Sequence, residues 1–185
     1  MNEPQQVANS LNEYFVNSIT EINRSISHRP FVRPTVAYPE WSNFMPITYE
    51  QLCDTMRHVR NKSGTGNVNL DVMSHSMSVI GHHFLDIINE SLTSGICPTV
   101  WKMSLVTPIP KVPGTTRADE LRPVNRITVD DKVCEVIVRD QLRNHVITHQ
   151  ILTPYQSAFR SNHSCESAIN LILFEWKREL EEKIL

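Results

Sequence analysis

Apolar residues recur at helical spacing in five stretches of this chain. Val7, Leu11, Tyr14/Phe15, Ile19 and Ile22 step along one face between polar residues, which predicts an amphipathic helix over roughly Val7 to Ser25 whose stripe needs a partner surface. Leu52, Met56 and Val59 continue behind Thr48-Tyr49-Glu50-Gln51, a capping box in which the Thr hydroxyl and the Gln amide each satisfy an N–H that the first helical turn leaves open. Met73, Met77, Ile80, Phe84, Ile87/Ile88 and Leu92 predict a third, longer helix ended by Gly95 and Pro98. Val133, Cys134, Ile137, Val138, Leu142 and Val146 place a fourth over Asp130 to His149. Ala168, Leu171/Ile172, Trp176 and Leu180 place the last from about Ser164 to Glu182.

Between these helices the period is lost. From His28 to Pro46, four prolines and the aromatics Phe31, Tyr38, Trp41 and Phe44 predict an extended arm pinned to the body by its rings. Asn61-Lys62-Ser63-Gly64-Thr65-Gly66-Asn67 ends the second helix, since two glycines permit positive φ. Leu105 to Ile109 and Arg122 to Arg126 are β-branched and Pro-punctuated, and predict a small hairpin with a flexible tip at Val112 to Arg117. The fold class is α+β, mostly helical with that one hairpin; residues 1–46 form the helix and arm, and residues 47–185 the main domain.

Composition adds little: 40% hydrophobic and 21% charged residues suit one globular core. A formal net charge of -2 gives no global attraction to nucleic acid, so binding of that kind has to come from a local basic patch. The four cysteines at 53, 97, 134 and 165 contain no C-x-x-C pair, which argues against a zinc ribbon and a secreted disulfide framework. The polar N-terminus begins no signal core and no apolar run approaches the ~18 residues of a membrane span. A soluble intracellular protein is expected, cytoplasmic or nuclear, without a membrane partner.

Charge is concentrated between Trp101 and Arg126, where Lys102, Lys111, Arg117, Arg122 and Arg126 face only Asp119 and Glu120. Lys111 ends one arm of the hairpin and Arg122 begins the other, so two cations flank the tip in a geometry suited to a triphosphate or a strand of phosphates. An ordinary solvated hairpin accounts for the same charges, because Lys and Arg are by default surface residues. Elsewhere the chemistry is thin. The phosphate-loop pattern G-x-x-x-x-G-K-[ST] is absent. His145 and His149 lie at i, i+4 without a third ligand at a recognisable spacing, as ordinary surface histidines do. His163-Ser164-Cys165 has no identifiable acid partner or oxyanion loop.

Several blocks, in order, resemble the reverse transcriptase of non-LTR retrotransposons, the jockey-like LINE elements. Val7 to Val16 looks like the A-N-x-F-N-x-Y-F helix that precedes the fingers. Asn61 to Asn67 is similar to the N-K-x-x-G-x-D turn, with Asn67 in place of Asp. Gly95, Pro98, Trp101 and Lys102 match G-x-x-P-x-x-W-K; Lys111 follows P-I-x, and Arg122-Pro123-Val124 matches R-P-[IV]. Gln156-Ser157-Ala158-Phe159-Arg160 with Ser164 resembles Q-x-G-F-R-x-x-x-S-[TC], with Ala158 where Gly is usual. If that position needs positive φ, Ala costs about 1 kcal/mol. The resemblance spans about residues 7 to 176.

What it implies is the fingers region of an RNA-directed DNA polymerase, a nucleotidyltransferase. Lys111 and Arg122 are expected to bind nucleotide phosphates, and Lys102, Gln156, Phe159 and Arg160 the template RNA, with Trp101 a packing anchor. The family's acidic motifs, D-x-x-x-A-F-D and [FY]-x-D-D, do not occur within these residues. The resemblance therefore implies no catalytic residue, metal ligand or cofactor here. Mg²⁺ belongs to the complete polymerase, whose palm is the expected packing partner of the last helix. The competing reading is a retrotransposon-derived helical RNA-binding or protein-interaction module without enzymatic activity.

Overall fold

The computed structural model describes residues 3–26, 39–59 and 70–184. The element order is α1 (Pro4–Ser25), α2 (Tyr49–His58), α3 (Leu70–Ser94), β1 (Leu105–Pro110), β2 (Leu121–Arg126), α4 (Val129–Thr148) and α5 (Cys165–Ile184), with short 3-10 turns before each strand. The described residues are therefore mostly helical with one two-stranded antiparallel sheet, as an α+β reading requires. No helix among the described residues is long and apolar enough to cross a membrane. The glycine-containing turn at Asn61–Asn67 and most of the proline-rich arm lie outside the described residues.

Two compact units are distinguished: Met1–Ala37 with Ser42–Gln141, and Tyr38–Trp41 with Leu142–Leu185. The core of the first is built by α2, α3 and the start of α4. Leu52, Met56, Met73, Met77, Phe84, Ile88, Leu92, Val133, Cys134 and Ile137 are buried there with Trp101 and Val129. Thr48 caps α2 as its sequence predicts, its side chain accepting from the Gln51 N–H at 3.2 Å while Gln51 Oε1 accepts from the Thr48 N–H at 2.8 Å. Gly95, at φ +71°, ends the third helix.

Three expectations need correction. Ile80 lies on the solvent side of α3, because Gly81 takes the inward position next to it, where the ring of Tyr49 fills the space a side chain would occupy; of Ile87 and Ile88, it is Ile88 that is buried. Leu142, too, is exposed on α4, since the buried face of that helix ends at Ile137. The arm next to α2 is held by amides as well as by rings. Asn89 accepts from the Ile47 N–H at 2.8 Å and donates to its carbonyl at 3.0 Å, and Gln141 does the same to Met45, both at 2.8 Å. Each amide mimics one rung of a β-ladder and satisfies an extended backbone that has no strand beside it. Phe44 packs on the core as expected.

α1 buries none of its residues; Leu11 and Phe15 are half-buried, while Ile19 and Ile22 are exposed. The second unit has no buried side chain among its described residues. Its helix α5 is capped by two serines, Ser164 accepting from the Ser167 N–H at 3.1 Å and Ser167 accepting from the Ser164 N–H at 2.8 Å.

Candidate nucleic-acid interface

The hairpin pairs Leu105 with Arg126, Thr107 with Val124 and Ile109 with Arg122, and one more bond, from the Lys111 N–H to the Glu120 carbonyl at 2.8 Å, extends the ladder toward the tip. Side chains alternate between faces with a period of two. Leu105, Thr107, Ile109, Arg122, Val124 and Arg126 thus share one face, and Lys111 continues the same parity. Lys111 and Arg122 become diagonal neighbours, a separation of about 7–8 Å between such positions.

The prolines follow from the same register. Pro108 lies opposite Pro123, and Pro110 opposite Leu121, one step out of phase with the bonded pairs. A proline has no N–H to give, and at these positions none is asked for by the partner strand. The outward edges are then poor in donors, which blocks a further strand from adding to either side.

The tip is less cationic than its sequence suggests. Arg117 forks onto Asp119 at 2.8 and 3.1 Å and approaches Glu120 at 3.8 Å, so its charge is answered locally. The hydrogen bond from Arg117 holds the Asp119 carboxyl below its usual range. Lys111 donates its ammonium to the Asp119 carbonyl oxygen at 2.8 Å, which places it at the mouth of the tip but gives it an internal partner. The side chains of Arg122 and Lys102 are exposed and make no hydrogen bond or ion pair among the described residues. Lys102 ends the 3-10 turn Thr99–Lys102, whose Trp101 is buried as an anchor.

The remaining predicted contacts, Gln156, Phe159 and Arg160, belong to the second unit. Arg160 folds inward, donating to the carbonyls of Gln156 at 3.1 Å and Thr153 at 3.4 Å, and the Gln156 amide reaches the Ala158 carbonyl at 3.5 Å. This local turn leaves Phe159 wholly exposed, at 101% of its reference area. The expected strain falls one residue along. Ala158 does not have a positive φ, whereas Phe159 does, at +60°. An aromatic residue held in the left-handed region costs about 1 kcal/mol or more and then offers a full ring face to solvent. Neither composition nor spacing marks residue 159 in this way; only its backbone does.

Ser164 is used as a helix cap and His163 approaches the Ser161 carbonyl at 2.9 Å. Burial, reinforced by the neighbouring Cys97, pushes the Cys134 thiol up to about 11, which leaves it unreactive at neutral pH. Among the described residues no three His, Cys, Asp or Glu side chains are grouped to hold a metal ion. No protein-family model matches this chain, and no curated protein sequence matches it significantly.

Proposed function

We propose that this chain is the fingers portion of a non-LTR retrotransposon RNA-directed DNA polymerase, and that it contacts nucleotide phosphates through Lys111 and Arg122 and template RNA through Lys102, Gln156, Phe159 and Arg160. The observation that supports this most is the hairpin register, which sets two cations of opposite strands on one face beside the tip. An ammonium and a guanidinium at that spacing bridge adjacent phosphate oxygens, the guanidinium by two parallel bonds. Binding requires Lys111 to exchange the Asp119 carbonyl for phosphate, a small rearrangement of one flexible side chain. The exposed ring of Phe159 suits stacking on an unpaired base, a contact worth about 1–3 kcal/mol. The Mg²⁺ ions of this reading belong to the complete enzyme.

Titration of single-stranded RNA at several salt concentrations tests the proposal. Three or four phosphate contacts give a log–log slope of about -2 to -3, and Lys111→Ala combined with Arg122→Ala flattens it. Salt-independent binding, or binding indifferent to the double substitution, removes the fingertip role.

One observation favours a second reading, a protein-interaction module. α5 exposes Ile169, Leu171, Ile172, Leu173, Phe174 and Trp176 in close succession, more apolar surface than a single amphipathic stripe needs.

A further inference from the structure

His145 and His149 close the last turn of α4, and their rings lie 4.5 Å apart between centroids, with planes inclined at 59°. Trp41 meets the His145 ring edge-on at 4.7 Å. The backbone beneath them is closed by hydrogen bonds. The Ile151 N–H bonds to the Val146 carbonyl at 3.0 Å and the Gln150 N–H to the Ile147 carbonyl at 3.1 Å, with Gln150 at φ +49°, the two bonds of a Schellman closure. The helix C-terminus itself presents partial negative charge to whatever occupies the turn. Arg143, the nearest cation in sequence, is taken up by the Ser161 hydroxyl.

The geometry points to a two-imidazole site on His145 and His149 for a borderline divalent transition ion such as Zn²⁺ or Ni²⁺, with Trp41 orienting the first ring and water completing the coordination. Residues four apart on a helix face the same way, so both imidazoles reach one ion without a change of backbone. Imidazole nitrogen selects ions of this class over Mg²⁺ and Ca²⁺, which take oxygen ligands. Because the described residues supply no third ligand, the ion is an exchangeable one and not a structural zinc with a closed shell. The site is independent of the hairpin and of the polymerase reading.

The experiment is a Zn²⁺ titration of the full chain, its accessible thiols alkylated, followed through the imidazole C–H resonances in NMR spectra. His145 and His149 are expected to shift together and saturate near one equivalent, at concentrations about tenfold below those that move His75 or His163, solitary exposed histidines. His149→Gln, at an exposed position, leaves the fold intact and weakens the response of His145 by about tenfold, whereas His75→Gln leaves it unchanged. If His145 and His149 respond separately, or no earlier than His75 and His163, the site does not exist.

Discussion

The indole Nε1–H of Trp101 donates to Oδ2 of Asp130 at 2.5 Å, tying the turn that precedes the hairpin to the first turn of α4. The ring is buried while the carboxylate is half-buried, so the bond joins a core anchor to a charge at a helix N-terminus. The hairpin emerges between these two residues in the chain, and its base is fixed by them.

Trp101→Phe keeps most of the apolar packing and removes the donor. Loss of a hydrogen bond to a charged group is expected to destabilise by about 1.5–3 kcal/mol, read as a lower urea midpoint at constant slope. An unchanged midpoint would mean that the bond adds nothing beyond packing.

Gly81→Ala tests the contact between α2 and α3. In an open helix this substitution stabilises by about 0.5–1 kcal/mol. Here the added Cβ would lie 2.7 Å from Tyr49 Cε2 and 2.8 Å from its hydroxyl oxygen, and that hydroxyl donates to the Met77 carbonyl at 3.0 Å. Tyr49 also stacks on His82 at 4.7 Å, so the ring has little freedom to withdraw. The expected outcome is destabilisation by about 1 kcal/mol, reversing to the normal stabilisation in a Tyr49→Ala background. Thermal melts of the four proteins decide it.

Burial, with the nearby Glu135 and Asp130 carboxylates, raises Asp131 from 3.8 to about 6. The folded chain therefore holds a proton that the unfolded chain has released between those values. Its contribution to stability is fully present below about pH 4 and is lost as pH rises through about 6. Asp131→Asn is expected to stabilise by up to about 1 kcal/mol near neutrality, after allowance for solvent screening, and to make no difference at pH 3.5. A stability–pH profile on which the two proteins run parallel would contradict this assignment.

Trp176 and Leu180 are 65% and 62% exposed on α5. Replacing both by Glu is expected to reduce self-association in size-exclusion chromatography while leaving the melting temperature of the chain in place. A lowered melting temperature would show that the helix is already packed in solution.

The five helices were legible in the sequence because amphipathic spacing and caps are local: Thr48 with Gln51 names the start of α2 without reference to any other element. The hairpin was legible too, since prolines confine a strand to an edge, although only the register explains why Pro108, Pro110 and Pro123 cost no ladder bond. Local patterns could not separate Ile80 from the true core face, because the decision rests with the Tyr49 ring against Gly81, 32 residues apart in sequence and joined only by folding. The same holds for the candidate site. Charge in the sequence picked out Lys111 and Arg122, but their common face comes from strand pairing, and the quenching of Arg117 by Asp119 comes from the shape of the tip. The exposed, left-handed Phe159 and the Trp41–His145–His149 ring cluster depend on backbone torsions and on contacts between distant residues, which a one-dimensional pattern does not contain.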